Sequence, residues 1–119
     1  MGLDMYLYRL RDGQDRDDSD EIVYWRKANA IHGYFTEGAE EDNCVDFPVT
    51  VDQLEYLVET CAESIMNKEP LLRPYEGMFF GSNFVDDWYW NSIKETLEDL
   101  SKVLNDHKEG DEYVYSAWY

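Results

Sequence analysis

The chain lacks several features that would each assign it to a class of proteins. No apolar run approaches the roughly 18 residues of a bilayer-spanning helix, so no membrane span is expected. No basic start precedes a hydrophobic stretch, which predicts that there is no secretory signal peptide. The two cysteines, Cys44 and Cys61, do not form a metal-type pair, and a disulfide between them is only an alternative to free thiols. We therefore expect a reducing compartment, no metal site and no cofactor.

Positive charge is also scarce. The chain has 27 Asp and Glu against 10 Lys and Arg in 119 residues, which gives a formal net charge of -17. Chains this acidic are usually disordered, but 16% of these residues are aromatic, which indicates a packed core beneath an acidic surface. A folded shell of carboxylates repels nucleic acid and attracts basic proteins, including those that bind nucleic acid.

The pattern of apolar residues predicts a single α+β domain over residues 1–119. Residues 2–10 and 112–119 alternate as strands, and an extended piece at 44–49 contains Pro48, which places it at a sheet edge. Helices are predicted over 22–36, with Asp20 as its cap, over about 51–67 and over about 85–105, with a short strand at 78–80. Thr50 and Gln53 form a capping box. We expect the first and last strands to pair in a small antiparallel sheet packed with three helices.

Three acidic stretches are the main candidate for a binding site. The helix at 51–67 places its acids within about 80° of one another, stepping about 4.5 to 6 Å along the axis, which is the scale of phosphates along a nucleic-acid strand. Trp88 is predicted to point away from the core, where it is either a contact anchor or covered by a loop. For the acids, the alternative is a solvated face that keeps the protein in solution. The candidate partner-binding residues are Asp12, Asp15, Asp17, Asp18, Asp20, Glu37, Glu40, Glu41, Asp42, Asp52, Glu55, Glu59, Glu63 and Trp88.

A second candidate is a ligand pocket on the first predicted helix, formed by Trp25, Arg26, Asn29 and His32. His32 could act as a general base near pH 7, while Asn29 orients a ligand and Arg26 binds an anion. The alternative is a helix flank packed on the sheet. No nucleophile elbow or phosphate loop accompanies these residues, so no catalytic residue is assigned.

Several words of the sequence are similar to those of a known family. MGLDMYL at 1–7, YWRKANAIH at 24–32, FFGS at 79–82 and YSAW at 115–118 resemble a family of small uncharacterised proteins of bacteriophages and prophages. The resemblance touches about a third of the chain. It implies a phage or prophage origin and a bacterial cytoplasm, and it implies no particular chemistry.

Together these observations predict a phage-encoded acidic inhibitor with a DNA-mimic-like surface. Its expected partner is a basic nucleic-acid-binding host protein, such as a defence nuclease or a CRISPR effector, with no direct contact to nucleic acid or membrane. One alternative is a small enzyme or ligand-binding domain that uses the His32 pocket. Another is a homodimeric phage structural or assembly protein, in which the small residues Ala30 and Gly33 let a second helix approach.

Overall fold

The structure is a computed structural model that describes residues 3–72 and 87–119. One antiparallel sheet has the strand order β2-β1-β4-β3, and three helices pack with it. The predicted α+β class and the pairing of the first and last strands are both confirmed. In chain order the elements are β1 (Asp4–Leu10), β2 (Asp20–Arg26), α1 (Asn29–Thr36), β3 (Asp46–Val49), α2 (Val51–Asn67), α3 (Asp87–Asn105) and β4 (Glu112–Trp118).

The two faces of the sheet have different roles. On β1, Met5 and Leu7 are buried while Tyr6 and Tyr8 alternate with them on the other side, and β4 repeats this period of two. The buried side meets the apolar faces of the helices. Its core includes Leu3, Met5, Leu7, Tyr113, Tyr115, Ala117, Ile31, Leu54, Leu57, Cys61, Ile93 and Leu100. The opposite side, which we call the open face, carries the outward residues of all four strands.

The predicted helix over residues 22–36 is wrong in its first half. Residues 20–26 form β2, which pairs antiparallel with β1, so Asp20 begins a strand and does not cap a helix. Lys27 has a φ of 54°, a left-handed conformation that ends the strand, and its N–H donates to the Leu3 carbonyl over 2.8 Å. The helix α1 begins only at Asn29 and has eight residues.

The second helix follows its local sequence signals. The Thr50 hydroxyl accepts from the Gln53 N–H over 3.1 Å, and the Gln53 side chain accepts from the Thr50 N–H over 2.8 Å. This is the predicted capping box, and it places the start of α2 directly after β3. β3 lies at the sheet edge, as Pro48 predicts.

Two other predictions fall partly on residues that the structure does not describe. α3 is described from Asp87, so residues 85 and 86 of the predicted helix lie outside the described residues, and so does the strand predicted at 78–80. Among the helices in 3–72 and 87–119, none is both long enough and apolar enough to cross a membrane.

Candidate protein-binding surface

The acidic stripe of α2 is displayed as the sequence predicts. Its four carboxylates are exposed, on the side of the helix opposite the buried Leu54, Leu57 and Cys61. Within residues 3–72 and 87–119, none of the four makes an ion pair. Tyr56 lies beside these carboxylates and is 62% exposed, and its ring stacks on that of Tyr34 with the centroids 6.3 Å apart. The members of this acidic stripe are Asp52, Glu55, Glu59 and Glu63.

The loop between β1 and β2 forms a second exposed acidic group. Gly13 has a φ of 86° and turns the chain, and the Asp15 carboxylate accepts from the Asp18 N–H over 3.0 Å. Asp20 lies 4.0 Å from Arg9, at the outer limit of an ion pair. The other acids of this loop make no ion pair with described residues. The exposed carboxylates of the loop are Asp12, Asp15, Asp17 and Asp18.

Three arginines near this loop are engaged by the protein itself. Arg9 and Arg11 donate to Asp106 over 2.5 and 2.8 Å, and Arg11 also donates to Asp111 over 2.8 Å. The hydrogen bond from Arg9 is the main reason that the pKa of Asp106 lies below its usual value. Arg16 donates to Asp46 over 3.1 Å. These contacts leave the stripe and the loop carboxylates without a neutralising partner among the described residues.

The third acidic stretch divides into two parts. Glu37, Glu40 and Glu41 are exposed between α1 and β3. Asp42 differs from them, because its side chain is only 16% exposed and accepts hydrogen bonds from His32 and Tyr119. Asp42 therefore serves an internal network, whereas its three acidic neighbours face solvent.

His32 is the centre of that network and has no exposed surface. Its Nε2 lies 2.8 Å from the Asp42 carboxylate, and its Nδ1 lies 2.6 Å from the Tyr115 hydroxyl. Burial lowers the pKa of His32 below its usual value, against the opposing effect of Asp42, so the ring is neutral at pH 7. Because a carboxylate cannot donate, Nε2 carries the proton, and Tyr115 donates to Nδ1. These two hydrogen bonds connect α1 to the segment that follows it and to β4.

The predicted pocket residues are not brought together on one helical face. Trp25 lies on β2, is buried and donates from its indole N–H to the Thr96 hydroxyl over 2.9 Å. Asn29 is buried at the start of α1, and Arg26 is exposed at the end of β2. The four residues do not share a helical face because the chain is an extended strand through residue 26, and the helix begins only at Asn29.

A small cleft does lie beside two of these residues. Trp25 and Arg26 line it together with Trp88 and Glu95, and its volume is about 230 Å³. His32 and Asn29 are not among its lining residues. Trp88 is 49% exposed, as predicted, and its indole N–H donates to the Lys27 carbonyl over 2.9 Å, which fixes the ring in the wall of the cleft.

Two other expectations can be compared with the structure. Cys44 is exposed and Cys61 is buried, and both are free thiols. Ala30 is buried rather than outward, so the small-residue face suggested for a dimer is not displayed. The homodimer itself stays a prediction, which light scattering tests. Within the described ranges no group of three or more His, Cys, Asp or Glu side chains could hold a metal ion.

Sequence reasoning missed the aromatic character of the open face. Tyr6 pairs across the sheet with Tyr24, and their ring centroids lie 5.4 Å apart, while Tyr8 lies 6.0 Å from Tyr6. The guanidinium of Arg16 sits 3.7 Å above the centre of the Tyr8 ring. The available signal was the alternation in β1, which places Tyr6 and Tyr8 opposite the buried side chains.

Comparison of the chain with protein-family models, with curated proteins and with solved structures finds no match.

Proposed function

We propose that this protein is an acidic inhibitor that binds a basic nucleic-acid-binding protein of a bacterial host, in the manner of an anti-CRISPR or anti-restriction protein. Its carboxylates would occupy the Lys and Arg side chains that otherwise hold phosphate. A phage or prophage origin and action in the host cytoplasm belong to the same proposal, and they rest on the resemblance of the sequence words.

One observation carries the proposal. The stripe on α2 and the loop between β1 and β2 expose four carboxylates each, and none of these eight makes an ion pair within the described part of the chain. Arg9, Arg11 and Arg16, which lie in or beside the loop, are engaged with other aspartates. Negative charge is therefore displayed in ordered positions on helix and turn, where a basic partner can reach it.

Charge and apolar contact would contribute differently to such a complex. Complementary charge speeds the encounter and makes it dependent on salt, whereas desolvated aromatic contacts slow dissociation. Trp118 is 63% exposed, and Trp88 is held half-exposed by its hydrogen bond to Lys27. Both indoles are suited to act as anchors. Tyr119 also lies near this end of β4, but its hydroxyl is engaged with Asp42.

The first experiment identifies the partner. The immobilised protein is mixed with a nuclease-treated bacterial lysate at about 50 mM salt, where exposed charges are weakly screened, and the eluate at about 500 mM is analysed by mass spectrometry. We expect enrichment of a nucleic-acid-binding protein. The purified partner should then lose its nucleic acid when this protein is added, as measured by fluorescence anisotropy.

Neutral variants test the mechanism. The variant D52N/E55Q/E59Q/E63Q removes the stripe, and the matched control D87N/E95Q/E98Q/E109Q removes the same number of exposed charges from α3 and the loop after it. We expect the stripe variant to lose most of the inhibition and the control to retain it. The proposal is refuted if no nucleic-acid-binding protein is captured, or if inhibition survives when the stripe, the loop and Glu37, Glu40 and Glu41 are all neutralised together.

A further inference from the structure

The open face of the sheet is an aromatic track with an acidic rim. Tyr24 on β2 lies opposite Tyr6 on β1, and Tyr8 follows Tyr6 along β1. Trp118 on β4 lies opposite Asp4, which is two residues before Tyr6. Tyr24 is 47% exposed, and the helices pack on the other side of the sheet. The acids that point to the same face from the four strands are Asp4, Glu21, Asp46 and Glu112.

One cation already uses this track. The loop between β1 and β2 folds over the sheet, so that the Arg16 guanidinium lies 3.7 Å above the Tyr8 ring while its Nε donates to the Asp46 carboxylate over 3.1 Å. The planar group thus has an aromatic ring beneath it and a carboxylate at its edge. Among residues 3–72 and 87–119, it is the one guanidinium found above a ring. Arg26 pairs with Asp4 on the same face and lies near Tyr24, but it is above neither the Tyr6 nor the Tyr24 ring.

The chemistry of this arrangement favours arginine over lysine. A guanidinium is planar and weakly hydrated, so it stacks on an aromatic ring and still donates in its own plane to a carboxylate. The pKa of Tyr6 is raised, first by burial and then by the nearby Asp4 carboxylate, in keeping with a negative potential at this face. The same potential disfavours a nucleic-acid strand, although rings of this kind can stack on bases.

We propose that the open face is the docking surface for an arginine-rich segment of the basic partner, and that Arg16 shows how each partner arginine is held. This inference rests on the proposed function and identifies the surface that binds the partner. Partner arginines stack on Tyr6 and Tyr24, and Asp4, which accepts from the Tyr24 hydroxyl over 2.6 Å, has a further lone pair that accepts from them. Asp46 is held by Arg16, and the acidic stripe and the loop supply long-range attraction.

The test uses two labelled peptides of equal charge, nona-arginine and nona-lysine, and the full-length protein. Binding is measured by fluorescence anisotropy at low salt. We expect the wild type to prefer nona-arginine, and Y6L/Y24L to weaken it about five- to twentyfold with little effect on nona-lysine. The matched control is Y56L, which removes an exposed tyrosine beside the acidic stripe and should leave this preference unchanged. Y24L alone, at the edge strand, should give about a two- to fivefold loss if the double variant does not fold.

A variant of Arg16 should change the affinity for nona-arginine in the opposite direction. R16A empties the position above Tyr8 and releases Asp46, so it should bind nona-arginine about two- to fivefold more tightly. The control K108A removes an equal charge from an exposed position on the loop before β4 and should not change the preference for arginine.

The outcomes separate this inference from the proposed function. If neither peptide binds the wild type, the acidic surface does not hold basic segments and the proposed function fails with the inference. If both peptides bind equally and the tyrosine variants match Y56L, only the inference is overturned. It is also overturned if the wild type is a dimer that Y24L dissociates, because the open face would then bind a second copy.

Discussion

Replacement of Asp42 by alanine should destabilise the protein far more than replacement of any other acid in its segment. Asp42 accepts from the buried His32 ring over 2.8 Å and from the Tyr119 hydroxyl. Its two oxygens thus connect α1 to the end of β4, and Asp42 itself lies in the segment between α1 and β3. The variant D42A removes both acceptors at once.

The magnitude follows from these contacts. A hydrogen bond to a charged group contributes about 1.5–3 kcal/mol, and the His32 ring is fully buried, so water does not readily replace the carboxylate there. Asp42 keeps 16% of its side-chain surface exposed, so water can compensate for part of the loss. We therefore expect D42A to lower the free energy of unfolding by about 2–3 kcal/mol, or about 8–12 °C in Tm for a domain of this size.

The isosteric variant D42N separates charge from hydrogen bonding. Its amide oxygen can still accept from His32, so the expected loss is about 1 kcal/mol. The control is E41A, in which the adjacent exposed carboxylate is removed. It should change stability by less than about 0.5 kcal/mol, and the sign should favour the variant, because one repulsive charge is lost.

Urea denaturation at pH 7, followed by tryptophan fluorescence, measures all three variants. The slope of the free energy against urea should be the same in each, which shows that the midpoint shifts report stability alone. If D42A and E41A shift the midpoint equally, the His32 network does not stabilise this end of the fold and the reasoning is refuted.

Three further predictions concern pH, thiols and salt. Burial lowers the pKa of His32 in the folded protein below 6.5, so the unfolded chain binds more protons than the folded protein as the pH falls. The contribution of the neutral ring to the free energy of unfolding is therefore full above pH 6.5 and is lost as the pH falls through the folded pKa. The stability difference between the wild type and H32Q should therefore shrink from pH 7 to pH 5, and a constant difference would contradict the assignment. A thiol reagent should titrate Cys44 alone in the native protein, since Cys61 is buried with its pKa raised to about 12; fast reaction of both thiols would be inconsistent with the fold. Added sodium chloride should raise Tm, because it screens the self-repulsion of a net charge of -17, and a falling Tm would show that ion pairs dominate.

The second helix could be predicted because its determinants are local. Thr50 and Gln53 are three positions apart and satisfy each other's backbone groups, and Leu54, Leu57 and Cys61 recur at helical spacing. None of these signals depends on a distant part of the chain. The same holds for the exposed stripe, which is the other side of that helix.

The second strand could not be predicted in the same way. Residues 24, 28, 31 and 35 have helical spacing, while Val23 and Trp25 have the alternation of a strand. The choice is made by pairing with β1, in which Met5 opposes Trp25, and by a shift in register between Leu7 and Tyr8. Such cross-strand contacts decide between two locally acceptable conformations, and no local pattern encodes them.

The candidate site shows the same division between local and distant causes. The exposure of Glu40 and Glu41 follows from composition, but the inward position of Asp42 depends on Tyr119, which is 77 positions away. Likewise, the alternation in β1 separates Tyr6 and Tyr8 from the core, but only the tertiary structure shows that helices cover the other face and that Arg16 folds onto this one.

The size of the net charge supports the proposal that the carboxylates bind a basic partner. A net charge of about 2–8 in magnitude is enough for a small domain to remain soluble, and this chain carries -17. Each additional exposed carboxylate adds self-repulsion to the folded state. Among the described residues no ion pair involves the carboxylates of the stripe on α2, so no such contact offsets their mutual repulsion. Under the proposed function, the positive charge of the partner would relieve this self-repulsion on binding.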